Sequence, residues 1–205
     1  MPEVENSRDT SRLAASDIPL VIVSGLPASG KSMLSRGLAA ALSLALIDKD
    51  VILEGLFEML GTGDADWRQK LSRASDEILQ RVVKSSAGAV VTSFWRHHQM
   101  NGSSGTPTDW ISSASQRIVE VYCVCESEIA AARFVTRQRH RGHLDTSKTL
   151  EEVRSDFRVL SRMGPLGIGR LVRVNTSGNV DVGAVDNQVR RLLTEAGRPV
   201  LDADS

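Results

Sequence analysis

Residues 25–32 carry the clearest chemistry of the chain, because they read GLPASGKS and fit the phosphate-binding pattern G-x-x-x-x-G-K-[ST]. In this phosphate loop, backbone N–H groups of a glycine-rich turn point inward and hold an anion. Lys31 is expected to reach the β- and γ-phosphates of a nucleotide, and the Ser32 hydroxyl is expected to bind Mg²⁺. The pattern predicts binding of a nucleoside triphosphate and Mg²⁺; the alternative is a plain glycine turn between a strand and a helix. The expected nucleotide contacts are Gly25, Leu26, Pro27, Ala28, Ser29, Gly30, Lys31, Ser32 and Met33.

Asp48 and Asp50 follow the second predicted strand and are candidates for metal and proton chemistry. Ligands of an open parallel sheet bind beyond the carboxyl ends of its strands, so both side chains should face the γ-phosphate. Two residues apart in an extended chain, they would point to the same face. One could hold Mg²⁺ through a water molecule while the other accepts a proton from an attacking hydroxyl. Alternatively, Asp50 caps the helix that is predicted to begin at Val51.

The third predicted strand ends in an abrupt change from apolar to polar and aromatic residues, TSFWRHH at 92–98. Arg96 could bind an anionic or hydroxyl-bearing acceptor, and an aromatic neighbour such as Trp95 could pack against it. Ser93, Trp95 and Arg96 are therefore candidate acceptor contacts, together with Asp50. The alternative is an aromatic edge of the core beside a solvated arginine.

Four arginines, with no acidic residue between them, lie within residues 133–141. Arg133, Arg137 and Arg141 have the spacing of one helix face if the predicted helix extends that far. Such like charges repel one another, and a lid that brings arginines onto a triphosphate would explain the cluster. A solvated basic face or a contact for RNA is the alternative.

Strand-like and helix-like segments alternate along the chain, which predicts an α/β fold with a largely parallel sheet and helices on both faces. The predicted strands are Leu20–Ser24, Leu44–Asp48, Ala89–Phe94, Ile118–Val124 and Leu171–Asn175. The predicted helices are Lys31–Leu42, Val51–Leu60, Asp66–Ser85, Glu126–Arg139, Leu150–Arg162 and Val182–Ala196. A polar turn with Thr176 and Ser177 follows the fifth strand and could contact an adenine ring through backbone groups, or be only a turn. One domain is expected over residues 18–196, with a lid at about 137–149 and flexible tails at 1–17 and 197–205.

The composition argues against several classes of function. The 25 basic and 25 acidic residues balance, which disfavours a broad nucleic-acid or anionic-membrane surface. No apolar run approaches the roughly 20 residues that span a bilayer, and residues 1–17 lack the apolar core of a signal peptide. The two cysteines, Cys123 and Cys125, suit small core positions in a reducing compartment. A cytoplasmic protein without membrane contact is therefore expected.

The segments at 25–32, 48–50, 92–98 and 133–145 together resemble those of the small P-loop kinases. These are the zeta-toxin-like and chloramphenicol phosphotransferase-like proteins, the shikimate and gluconate kinases, and the kinase half of polynucleotide kinase. The phosphate loop and the stretch after Arg139 look most like uncharacterised bacterial ATP-binding proteins of AAA type within that group. The resemblance implies a P-loop NTPase fold, a five-stranded parallel sheet in the order 2-3-1-4-5, and a mobile, arginine-rich lid.

The resemblance also implies roles for individual residues. Asp50 matches the catalytic base, and Asp48 matches the carboxylate that lies near Mg²⁺. Arg133 matches a lid-region arginine that packs near adenine, while Arg137 or Arg139 matches the one that reaches the transferring phosphate. Asp50 would remove the acceptor's proton while the lid arginines and the lysine of the phosphate loop neutralise developing charge.

The chain departs from this family late in the third strand, where many relatives carry an aspartate and this chain has Thr92 and Ser93. Metal binding must then depend on Ser32, Asp48 and the phosphates. The expected function is ATP- and Mg-dependent transfer of the γ-phosphate to a hydroxyl of a small molecule, such as a sugar, a nucleotide sugar or an antibiotic-like compound. A nucleotide-binding regulatory protein without transfer and a polynucleotide 5′-hydroxyl kinase are the alternatives, and the oligomeric state is open.

Overall fold

A computed structural model describes residues 17–102, 104–144 and 148–196. Its centre is a five-stranded parallel sheet in the order β2-β3-β1-β4-β5, which confirms the predicted fold class and strand order. The strands are β1 (Pro19–Gly25), β2 (Ala45–Asp48), β3 (Ala89–Thr92), β4 (Arg117–Val124) and β5 (Arg170–Asn175). The helices are α1 (Lys31–Leu42), α2 (Lys49–Leu60), α3 (Ala65–Ser85), α4 (Ile111–Ala114), α5 (Ser127–Thr136), α6 (Leu150–Met163) and α7 (Val182–Ala196). Of the predicted tails and lid, residues 1–16, 145–147 and 197–205 lie outside the described residues.

Helices cover both faces of the sheet, which explains why its strands read as continuous apolar runs. On one face, Val23 of β1 packs in a cluster with Leu38 of α1 and Val189 of α7. On the other face, Ile22 of β1 packs in a second cluster with Leu79 of α3. The strand ends are therefore held from both sides and form a fixed platform for the residues that follow them.

The strand register brings the polar strand ends together at one edge of the sheet. Asp48 of β2 lies opposite Thr92 of β3, and Thr92 lies opposite Val23 of β1. On the other side of β1, Gly25 lies opposite Cys123 of β4. Because the strands are parallel, the phosphate loop and the carboxyl ends of β2 and β3 open on the same edge, where ligands of such sheets bind.

Helix α2 begins at Lys49, two residues before the predicted start. The carboxylate of Asp48 caps the helix by accepting a hydrogen bond from the Asp50 N–H at 3.0 Å. The capping role predicted for Asp50 therefore belongs to Asp48. The prediction that both carboxylates share an extended segment is wrong for the same reason, because Asp50 lies inside the first helical turn.

Helix α5 ends at Thr136 instead of continuing to Arg139 as predicted. The backbone of Arg137 is extended, with φ −73° and ψ 140°, so the chain leaves the helix axis there. Arg141 is exposed in a short 3-10 helix and does not share a helix face with the arginines of α5. The prediction of a single arginine face is thus wrong for Arg141, because tertiary contacts of the lid with α2 replace further turns of helix.

Helix α3 is amphipathic over its 21 residues. Its buried side includes Leu71, Leu79 and Val83, whereas most other positions are polar.

None of the helices in the described part of the chain is long and apolar enough to cross a membrane.

Candidate functional site

A cleft of about 2040 Å³ opens at the carboxyl ends of β1, β2 and β3. Its walls come from the phosphate loop, the start of α2, one face of α3, the chain after β3, the lid and the turn after β5. Pockets for a single small ligand usually have volumes of about 300–1,000 Å³. The cleft therefore has room for a nucleotide and a second substrate side by side.

The phosphate loop has the backbone of an anion cradle. Gly25 and Gly30 have φ angles of +130° and +94°, which glycine adopts without strain. A Cβ on Gly25 would lie 2.7 Å from the carbonyl oxygen of Cys123, so the approach of β4 leaves no room for a side chain. Gly30 precedes α1 and supplies no side-chain cap, which leaves the first N–H groups of the helix to a ligand.

Lys31 turns back onto the loop that precedes it. Its Nζ donates to the carbonyl oxygens of Leu26 at 2.7 Å and Gly25 at 3.2 Å. Burial lowers the pKa of Lys31 to about 8, although the carboxylates of Asp50 and Asp48 favour the charged form. Burial of the Lys31 ammonium therefore costs free energy, and a triphosphate bound in the loop would offset that cost.

The affinity for ATP is expected to fall as the pH rises from 7 to 9.5. Bound phosphates favour the protonated form of Lys31, so its pKa in the complex lies above the value of about 8 in the free protein. The affinity has its full value at pH values below the pKa of about 8. Above that pKa, each pH unit lowers the association constant by up to about tenfold. The decrease stops when Lys31 also loses its proton in the complex. Titration of a fluorescent ATP analogue across this range measures the effect. Lys31→Arg keeps its charge and is the control, and a flat profile for the wild type would contradict the prediction.

Asp48 and Ser32 offer oxygen atoms of the kind that Mg²⁺ prefers. Burial raises the pKa of Asp48 despite hydrogen bonds from the Asp50 N–H and the Ser32 hydroxyl. Within the described residues, no group of three His, Cys, Asp or Glu side chains could hold a metal ion alone. Because the phosphate loop beside them is built for an anion, these two residues would fit a Mg²⁺ ion that is bound together with a phosphate group.

The lid holds Asp50 in an ion pair. Nη2 of Arg139 lies 2.5 Å from Oδ2 of Asp50. Burial would raise the pKa of Asp50, but nearby positive charge, that of Arg139 first and that of Lys31 as well, outweighs it and holds the pKa below its usual value. The carboxylate is thus ionised at neutral pH and able to accept a proton once Arg139 moves away.

The lid also packs on α2 and α3 through residues that the sequence analysis missed. Nε2 of His143 lies 2.8 Å from Oε1 of Glu54, and its ring meets Phe57 edge-on at 5.6 Å. The His140 ring stacks on Phe57 at 5.3 Å, and Nε of Arg68 donates to the His143 carbonyl oxygen at 2.8 Å. A signal for the α2 residues was present, because they follow the predicted base by four and seven positions, which is helical spacing.

Gly142→Ala is expected to loosen the lid. A Cβ at Gly142 would lie 2.5 Å from the Phe57 ring, which is itself buried and has little room to shift. We expect trypsin to cut the segment 137–141 several-fold faster than in the wild type, because local opening controls cleavage. Gly55→Ala on α2 is the matched control, since its Cβ would meet no atom within 4 Å. Equal cleavage of the wild type and Gly142→Ala would show that the lid does not depend on this contact.

The residues predicted to lie near adenine come together at the other end of the cleft. Arg133 donates to the carbonyl oxygens of Thr176 at 3.0 Å and Ser177 at 2.8 Å, which ties α5 to the turn after β5. The guanidinium carbon of Arg137 lies 4.6 Å from the centre of the Phe134 ring. All five residues line the cleft, so the structure brings the predicted arginines and the polar turn to one site.

Three of the four predicted acceptor residues line the cleft, and two of them, Ser93 and Arg96, also hold the loop after β3. The Ser93 hydroxyl lies 2.6 Å from the Thr106 hydroxyl. The Arg96 guanidinium donates to the carbonyl oxygens of Ser104 and Gly105, both at 3.2 Å. Arg96 thus shapes the wall of the cleft in addition to facing it.

Trp95 lies in the core, which corrects its predicted role as an acceptor contact. It is 4% exposed, and its Nε1 donates to the carbonyl oxygen of Val23 at 2.9 Å. Strand β3 ends at Thr92, two residues before the predicted end, and the chain then turns Phe94 toward the cleft and Trp95 inward. The alternative interpretation, an aromatic edge of the core, therefore describes Trp95.

Comparisons with known proteins agree with this geometry. A family model described as an AAA domain, AAA_33, matches residues 20–160. A protein from Chloroflexus aurantiacus J-10-fl described as a "putative kinase" is 28% identical, with a TM-score of 0.70 over 86% of this chain and 98% of that one. Shikimate kinase from Bacteroides thetaiotaomicron is 17% identical, with a TM-score of 0.51 over 86% of this chain and 97% of that one, a likeness of fold. No curated protein matches the chain significantly.

Proposed function

The chain belongs to the AAA_33 family of AAA domains, and we propose that it is an ATP- and Mg-dependent phosphotransferase that acts on a hydroxyl group of a small molecule. The observation that carries the proposal is the position of Asp50. This ionised carboxylate shares one cleft with the phosphate loop and Lys31, so a base and a phosphate site face the same space. The similarity to the solved structure described as a "putative kinase" supports this chemistry.

On the donor side, ATP would place its phosphates in the phosphate loop, with Lys31 on the β- and γ-phosphates. Ser32 and Asp48 would hold Mg²⁺, which when bound neutralises charge on the phosphates. The adenine ring of ATP would lie beside Arg133 and the turn after β5. In this arrangement the N-terminus of α1 and the buried ammonium of Lys31 stabilise the negative charge of the transferring phosphate group.

On the acceptor side, Arg139 would leave its ion pair with Asp50 and bind the γ-phosphate when both substrates are present. The acceptor hydroxyl would then give its proton to Asp50 while its oxygen bonds to the γ-phosphorus. The bond from that phosphorus to the β–γ bridging oxygen breaks, and ADP leaves with the electron pair. Arg137 and Arg139 would stabilise the charge on the transferring group, and the proton on Asp50 would pass to solvent.

The acceptor would occupy the part of the cleft between the start of α2 and the polar face of α3. We favour a small molecule over a nucleic acid, because the chain carries no net charge. Sugars, nucleotide sugars and antibiotic-like alcohols are the candidate classes. The reaction would take place in the cytoplasm, which supplies both ATP and Mg²⁺.

Acceptor-stimulated release of ADP tests the proposal. The protein is incubated with Mg·ATP and a panel of sugars, nucleotide sugars, nucleosides, and aminoglycoside- and phenicol-type antibiotics. Stimulation by one class is expected and would identify the acceptor class. Binding of ATP without stimulation by any compound would favour a regulatory nucleotide-binding protein. Stimulation by a short oligonucleotide, lost with added salt, would instead indicate a polynucleotide kinase.

A further inference from the structure

A buried ion pair joins α2 to α3 at the floor of the cleft. Nζ of Lys49 lies 2.7 Å from Oδ1 of Asp76 and donates to the Ser72 hydroxyl at 3.1 Å. The side chains of Lys49 and Asp76 are 9% and 13% exposed. All three residues nevertheless line the cleft, in the part that a second substrate would occupy.

Neither helix formation nor packing requires a charged pair at this position. Lys49 is the first residue of α2, where the helix dipole disfavours a positive charge. Burial of both charges costs free energy, and an apolar pair of similar volume often stabilises a fold as well or better. A ligand that needs these polar groups would explain why the chain places them here.

The ion pair lies beside the reacting groups of the proposed reaction. Lys49 directly precedes Asp50, the proposed base, and directly follows Asp48, the proposed metal ligand. The α3 wall that contributes Asp76 is polar along its length in the cleft. Its cleft-lining residues include Gln69, Ser72, Arg73, Asp76, Glu77 and Gln80.

The two charged groups together match the hydrogen-bonding capacity of a hydroxyl. Among the described residues, the Lys49 ammonium contacts Asp76 and Ser72, which leaves its third N–H and the second carboxylate oxygen of Asp76 to a ligand. A hydroxyl can accept from the ammonium and donate to the carboxylate at the same time. A lone alcohol in contact with Asp50 would leave both positions unused.

We propose that Lys49 and Asp76 bind a second hydroxyl of the acceptor, next to the one whose proton Asp50 accepts. The acceptor is then a polyol or a sugar unit, and the ion pair determines which of its hydroxyls faces the γ-phosphate. This inference rests on the proposed function and assigns the acceptor class within it. A substrate that lacks the second hydroxyl would leave buried polar groups unpaired, so affinity should fall by roughly tenfold or more.

Binding of matched sugars tests the inference without depending on turnover. The probes are D-glucose, D-galactose and D-ribose with their single-deoxy analogues, measured by saturation-transfer NMR in the presence of Mg·ADP. The test variant is Lys49→Met/Asp76→Leu, which removes both charges and leaves neither one buried alone. The control variant is Arg170→Gln/Glu195→Gln, which removes an exposed ion pair that joins β5 to α7. The melting temperature and the ADP affinity of each variant show whether the fold is intact.

The wild type and the control variant are expected to bind at least one sugar and to lose roughly tenfold or more affinity for one of its deoxy analogues. The Lys49→Met/Asp76→Leu variant is expected to bind that sugar and its analogue equally. A preference that survives in this variant, or a wild type that binds none of the sugars, would overturn the inference. Hydroxyl-dependent binding through Lys49 and Asp76 without any phosphate transfer would support the binding role and contradict the proposed function, so the two ideas fail separately.

Discussion

Asp50→Asn is expected to lower acceptor-dependent turnover by about 10²–10⁴-fold while the affinity for ATP stays within about twofold of the wild type. The substitution preserves the size of the side chain but removes its ability to accept a proton. It also removes the ion pair with Arg139 but takes no positive charge away from the phosphate site, so nucleotide binding is not expected to weaken. Steady-state ADP release and titration with a fluorescent ATP analogue measure the two quantities.

Asp109→Asn is the matched control for this prediction. Asp109 is exposed and does not line the cleft, so its substitution should leave both quantities unchanged. A comparable loss of ATP affinity in Asp50→Asn would place Asp50 among the nucleotide contacts and contradict its role as base. Unchanged turnover would exclude it from proton transfer.

Lys31→Met is expected to lower the affinity for ATP by at least about 10²-fold and to lower turnover further, because a charge-assisted contact with the phosphates is lost. The same change should raise thermal stability. Burial lowers the pKa of Lys31 from 10.5 to about 8, so the unfolded chain holds this proton more tightly than the folded protein does. This difference lowers the free energy of unfolding by its full amount below pH 8, and the effect disappears as the pH rises through 10.5. The destabilisation is therefore present at pH 7.

The two readouts of Lys31→Met move in opposite directions, which separates a functional role from a structural one. If Lys31 only stabilised the loop, its replacement would lower both the thermal stability of the protein and its affinity for the nucleotide. Lys70→Met provides the control, because Lys70 is exposed on α3 and does not line the cleft. A melting temperature below that of the wild type in Lys31→Met alone would contradict the account of a binding residue held at a cost.

The sequence predicts the parts of the site that depend on local pattern. The phosphate loop, the parallel strands and the position of Asp48 at the end of β2 follow from apolar runs and from glycine spacing. The start of α2 was missed by two residues because two aspartates compete as caps, and only the backbone shows that Asp48 accepts the hydrogen bond. Such local choices differ by little free energy and are hard to settle from residue types.

The remaining parts depend on contacts between distant segments and were not predictable from residue patterns. The lid departs from helix after α5 because Arg139 and His143 find partners 89 positions away in the sequence, on α2. Trp95 turns inward because its indole N–H reaches a carbonyl of β1, which no local pattern indicates. The pairing of Lys49 with Asp76 likewise requires α2 and α3 to pack side by side.

Direct detection of phosphate transfer tests the central claim, that the cleft joins a phosphate donor to an alcohol through Asp50. The protein is incubated with Mg·ATP labelled at the γ-phosphate and with the acceptor panel, and the products are separated and identified by mass spectrometry. We expect label in a phosphate ester of one acceptor with the wild type, and almost none with Asp50→Asn. Label that appears only as free phosphate, or an ester that forms equally well with Asp50→Asn, would contradict the account.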